Sequence, residues 1–110
     1  MAKFTHAGGR QSEVENLSGA QTATSLIAAS GAGKSHVIHA ITLCDTSGAA
    51  NTISIETADP TIIFAPILGA NAEAAIVYGG GGLNVGANEL VQIDSTGSVF
   101  VSIEYESKDS

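Results

Sequence analysis

The stretch that most limits what this chain can become is its last third, residues 61–106: TIIFAPILGANAEAAIVYGGGGLNVGANELVQIDSTGSVFVSIEYE. Short apolar runs alternate with glycine-rich corners, and the stretch closes on Val99, Val101, Ile103 and Tyr105 at strict period two. Period two puts successive side chains on opposite faces of a strand, so one face of this last run is apolar. None of the apolar runs has helical length or helical spacing. The architecture must therefore be built from short strands joined by tight turns.

The same pattern extends upstream. TATSLIAAS (22–30) reads as a strand and is followed by the loop Gly31-Ala32-Gly33-Lys34. SHVIHAITLC (35–44) alternates, with Val37, His39, Ile41 and Leu43 expected on one face and Ile38, Ala40, Thr42 and Cys44 on the other. Asp45-Thr46-Ser47-Gly48 is turn chemistry, and NTISIET (51–57) is the next strand. TIIFAPIL (61–68) is broken by Pro66, which cannot donate to a ladder and must sit at a bend or an edge. EAAIVY (73–78), GLNV (82–85) and ELVQID (89–94) supply further short strands, and Ser95-Thr96-Gly97 reads as a hairpin loop before the final strand, 98–106. Seven to eight strands with no helix make an all-β antiparallel sandwich or jelly roll over residues 22–106.

Residues 1–21 lack sustained alternation and carry glycines at 8, 9 and 19. They read as an extended N-terminal arm, with one helical turn as an option at SEVENL (Ser12 as cap, Glu15 three residues on). Phe4 is the arm's natural anchor, because a lone aromatic on a polar tether has no core of its own. The tail 107–110 reads as disordered.

Composition limits the partners. The chain has 110 residues, room for one domain. Its charged share is 14%, where about a quarter is typical of soluble domains, so part of the surface is expected to lie under another chain. The net charge is −7, and only Lys3, Arg10, Lys34 and Lys108 are basic. Phosphate neutralisation needs clustered cations, so neither nucleic acid nor an anionic membrane is an expected partner. A single cysteine, Cys44, excludes an intrachain disulfide. The N-terminus has no signal-peptide core and no run is long enough to span a membrane, so synthesis in a cytoplasm is the expectation.

Few motifs suggest chemistry. Ala28 to Ser35, AASGAGKS, approximates a phosphate-binding loop with alanine at the first glycine. That chemistry needs a helix beginning at the lysine, and period-two Val, Ile and Thr follow instead. His36 and His39, three apart on a strand, face opposite sides and cannot share a metal. Glu104 and Glu106 share a face and read as solvated surface. Gly79 to Gly82 lack the strand-to-helix context of a cofactor loop. No catalytic residue, cofactor or metal is assigned, and the chain is not expected to be an enzyme.

The ordered part resembles small virion proteins of tailed bacteriophages. The resemblance lies in SLIAASGAGKSHVIHAITLC, in the Pro66-Ile67-Leu68-Gly69-Ala70-Asn71 corner, in Gly82-Leu83 leading to Gly86-Ala87-Asn88-Glu89-Leu90, and in the closing Val99, Val101, Ile103, Tyr105 strand. It implies a compact sandwich or jelly roll that is often trimeric, similar to head decoration (cement) proteins. On that reading the protein sits on the capsid surface of a virion, binds the major capsid protein and bridges its subunits. Phe4, His6 and Arg10 of the arm would make the contacts. The alternative that the resemblance leaves open is a fibre or knob module binding a host receptor or glycan.

Overall fold

The computed structural model describes residues 2–5 and 9–109, and of residue 2 the backbone alone. Strands make up its regular structure: β1 (Ala2–Thr5), β2 (Gln11–Leu17), β3 (Gln21–Ile27), β4 (Lys34–Asp45), β5 (Asn51–Thr57), β6 (Ile62–Phe64), β7 (Ile67–Leu68), β8 (Glu73–Val77), β9 (Leu83–Ala87), β10 (Val91–Ser95) and β11 (Val99–Asp109). They form two antiparallel sheets. The first runs β1-β2-β11-β4-β8, with β9 also on β4; the second runs β3-β10-β5-β6, with β7 also on β5.

The pairing is nested. β2 pairs with β11, β3 with β10, β4 with β8 and β9, and β5 with β6 and β7. The chain from β2 to β11 is thus one long antiparallel ribbon whose tip lies between β5 and β6. Rolling that ribbon brings β11 onto β4 and β10 onto β5, which closes the two sheets face to face. This is a jelly roll. Pro66 splits one strand position into β6 and β7, and the glycines at 79–82 split another into β8 and β9. Counted by position, the roll has eight strands, with β1 as an addition at one edge.

Between the sheets lie Val99, Val101, Ile103 and Tyr105 of β11, Ile38, Ile41 and Leu43 of β4, Ile53 and Ile55 of β5, and Val91 and Ile93 of β10. Each is essentially inaccessible to solvent. The period-two pattern of β11 is realised without interruption. In β4 it is not. Glu104 pairs with Ala40 and Tyr105 with Ile38, so His39 is an extra residue on β4, a β-bulge. The bulge turns both Ile38 and Ile41 inward. The expected face of Val37, His39, Ile41 and Leu43 is corrected accordingly: Ile41 and Leu43 share the core with Ile38.

Residues expected to lie outside the sheets are part of them. Within the expected arm 1–21, residues 11–17 form β2, in register with β11 from Val99↔Leu17 to Tyr105↔Gln11. SEVENL is therefore strand, not helix. Its alternation is obscured because, of the four side chains opposite the core positions of β11, only Leu17 is apolar and the others are Gln11, Glu13 and Glu15. They face inward at the open side of the roll, where Glu13 is buried beside the Tyr105 hydroxyl and Lys3. Of the expected disordered tail, Ser107, Lys108 and Asp109 continue β11 against His36, Ser35 and Lys34. The turns at 31–33 and 95–97 are not hairpins. They carry the chain from one sheet to the other, β3 to β4 and β10 to β11.

Candidate functional site

Three places in the roll concentrate polar or uncovered groups. The first is a buried carboxylate at the end of β4. Asp45 accepts hydrogen bonds from the Ser47 hydroxyl (2.6 Å), the amides of Ser47 (3.2 Å), Gly48 (3.1 Å) and Asn71 (2.9 Å), and Asn51 Nδ2 (2.9 Å). Asn51, itself fully buried, also donates to Ser98 O (3.0 Å) and accepts from the Gly97 amide (3.1 Å). The Ser47 hydroxyl first, then the Asn71 amide, hold the Asp45 carboxyl well below the usual carboxylate range. Every contact is to the chain itself. Asp45 and Asn51 fasten three corners of the roll together.

The second place is a cleft of about 490 Å³ on the open side of the roll. One wall is sheet β1-β2-β11-β4, contributing Lys3, Gln11, Glu13, His36, Tyr105 and Ser107; the other is the consecutive run 25–30. Tyr105 is 2% exposed, and its hydroxyl lies 3.0 Å from Gln11 Oε1 and 3.2 Å from Glu13 Oε1. Burial raises the Tyr105 pKa, so the phenol stays protonated. Lys3 Nζ is 3.6 Å from Glu13. The Tyr105 oxygen and then Glu13 favour its charged form. His36 Nε2 donates to Ala28 O (2.7 Å), which leaves Nδ1 to accept from the Ser107 hydroxyl (2.8 Å). The imidazole also packs edge-on against the Tyr105 ring, with centroids 5.3 Å apart.

The third is the outer face of the sheet that contains β11. Register places Phe4, Ser12, Val14, Phe100, Ser102, Ala40, Thr42, Ala75 and Val77 on it. Phe4 is 54% and Val77 78% exposed. Charge gathers toward one end, in Arg10–Glu104 (3.0 Å), His39–Glu106 (3.1 Å) and Lys108–Glu106 (3.2 Å). His39 first, then Lys108, lower the Glu106 pKa. The glycine-rich corner between β8 and β9 folds over His39. A Cβ on Gly82 would stand 2.7 Å from Val37 Cγ1, 2.9 Å from Ile38 O and 3.0 Å from His39 Nδ1. The corner is a close approach of backbone to backbone, and Gly82 is required there.

Of the residues expected to make contacts, Phe4 stands on β1 facing outward, Arg10 is paired with Glu104, and His6 lies outside the described residues. His36 and His39 face opposite sides of β4, one to Ser107 and one to Glu106. The run AASGAGKS spans the corner that follows β3 and the start of β4, with no helix after the lysine. Lys34 reaches Asp109 at 3.6 Å. Sequence reading missed the Asp45–Asn51 knot and the cleft. The signal for the first was an Asp and an Asn flanking the turn residues 46–50. The second joins residues 94 apart, Gln11 and Tyr105, and had no local signal.

No family model matches this chain, and no curated protein sequence does. Among solved structures, one of Bacillus endospore appendages, described as a novel family of disulfide-linked pili, is 16% identical over 88% of this chain and 86% of that one, with a TM-score of 0.49. The coat protein of Tobacco streak virus is 9% identical over 97% and 90%, with a TM-score of 0.40. The capsular polysaccharide assembling protein CapF from Staphylococcus aureus is 8% identical over 97% of this chain and 26% of its own, with a TM-score of 0.33. All three scores are below 0.5. The jelly-roll assignment rests on the strand pairing itself.

Proposed function

We propose that this chain is a structural virion protein, a capsid decoration (cement) protein that acts by binding and not by catalysis. The observation that carries the reading is the outer face of the β1-β2-β11-β4-β8 sheet. It is broad, low in charge, and carries Phe4 and Val77 largely exposed. The two stand on opposite edge strands of the face, β1 and β8, and exposed apolar side chains of this size are what a partner surface would cover. In the proposal a trimer forms through this face, and the N-terminal residues Phe4, His6 and Arg10 extend the contact onto the major capsid protein. A protein that binds only the assembled shell stabilises the shell by mass action, by RT ln(1 + [L]/Kd) per site.

Two measurements test it. Sedimentation equilibrium of the full chain at micromolar concentration is expected to give a trimer; a monomer overturns the oligomeric part. Immunogold electron microscopy of the particles that contain the chain is expected to place label evenly over the shell. Label confined to a tail or fibre overturns the decoration role in favour of a receptor-binding module.

A further inference from the structure

We propose that the cleft between β2 and the 25–30 run is a binding site for a small neutral polyhydroxylated ligand of the monosaccharide class. Its volume, about 490 Å³, falls within the ~300–1,000 Å³ of small-molecule sites. The site is separate from the outer sheet face and does not depend on the decoration reading.

The hydrogen-bonding groups of the floor are fixed but not saturated. Tyr105 has one hydroxyl proton and two acceptors within reach, Gln11 Oε1 and Glu13 Oε1. It can serve one at a time, so the other is left an acceptor without that donor. The Gln11 amide has no acceptor for its NH2 group among the described residues. Gln11 and Glu13 stand two apart on β2, on the same face. They therefore present amide donors beside a carboxylate acceptor. Adjacent hydroxyls of a sugar ring each need both a donor and an acceptor, and this pairing supplies both. Across the cleft, the exposed Ala28 and Ala29 follow the core residues Leu26 and Ile27 and form an apolar wall between Ser25 and Ser30, which suits the C–H face of such a ring.

Charge argues for a neutral ligand. The lining carries one formal cation, Lys3, and one formal anion, Glu13, which face each other at 3.6 Å. A charged ligand would meet an opposing charge already paired. Tyr105 and His36 are held by partners on three elements, so the floor is set before any ligand arrives.

The test is a titration of the 15N-labelled full chain with glucose, galactose, mannose and N-acetylglucosamine, followed by amide chemical shifts. At least one sugar is expected to give saturable shifts at millimolar concentration, confined to residues 25–30 and to Gln11, Glu13, Tyr105 and Ser107. Gln11→Ala is expected to weaken that binding about tenfold. Ala29→Trp, at an exposed position of the rim, is expected to abolish it and leave the remaining spectrum unchanged. Absence of saturable shifts with every sugar overturns the proposal, as do shifts that persist in Ala29→Trp. Tighter binding of gluconate or of free glycine than of any neutral sugar also overturns it, because the cleft would then select charge.

Discussion

At the scale of single residues, this fold depends on a few polar side chains and on one glycine. Asn51 is buried and bonded to Asp45, Ser98 and Gly97. Asn51→Ala leaves those partners without a donor or acceptor and is expected to cost about 2–3 kcal/mol, read as a lower urea midpoint with an unchanged m-value. Asp45 gives a pH dependence of known sign. Its folded pKa lies below the ordinary 3.8, so the unfolded chain binds more protons in that range and stability falls with falling pH. The contribution is complete above the unfolded pKa and is lost as pH drops toward the folded one. Asp45→Asn is expected to be less stable at pH 7 and to lose less stability between pH 5 and pH 2 than the parent; equal slopes would show that Asp45 is not the titrating group. Gly82, at φ +87° and with backbone 2.9 Å from any added Cβ, makes the sharper case. Gly82→Ala adds both left-handed strain and overlap and is expected to cost at least about 2 kcal/mol in the same assay.

At the scale of elements, legibility followed packing. β11 was readable because it is central: Val99, Val101, Ile103 and Tyr105 face the core while Phe100, Ser102, Glu104 and Glu106 face out. β5 and β10 were readable for the same reason. β2 was hidden because its inward-facing positions include Gln11, Glu13 and Glu15, so its two faces do not differ in polarity. The bulge at His39 was hidden because an extra residue leaves no mark on composition. It shows only as Ile38 and Ile41 sharing the core three apart. The tail 107–109 was misread because Ser107 and Lys108 look like loop, whereas their register with His36 and Ser35 is set by the other end of a long strand. Proline scanning separates strand from arm. Val14 pairs with Ala2 on one side and Ser102 on the other, so Val14→Pro is expected to cost at least about 2 kcal/mol through a lost ladder bond. An arm outside the sheets would absorb the same change with no shift in the unfolding midpoint.

At the scale of the whole molecule, composition announced an all-β chain with little charge, and seven of the eight strand positions followed from turn spacing, β2 being the exception. The winding did not. A corner that crosses between sheets and a hairpin that stays within one use the same Gly, Ser and Asn, as Gly31, Gly33 and Gly97 show. Only the nested pairing of distant strands distinguishes them. The outer face of the β1-β2-β11-β4-β8 sheet carries Ser12, Val14, Phe100, Ser102, Ala40, Thr42 and Ala75 between its edges, with Glu104, paired to Arg10, as the charged group in the row that joins Phe4 to Val77. On the proposed reading association is a property of this one face, and it can be tested as such. Val77→Lys combined with Thr42→Lys places two cations on the face at exposed positions, one on β4 and one on the edge strand β8. The pair is expected to shift the sedimentation profile to monomer while changing the unfolding free energy of that monomer by no more than about 0.5 kcal/mol per site. Ile67→Lys, at a residue 76% exposed on the opposite sheet, is the matched control and is expected to leave association intact. Equal loss in both variants would assign association to general hydrophobicity, and loss in the control alone would move the contact to the other sheet.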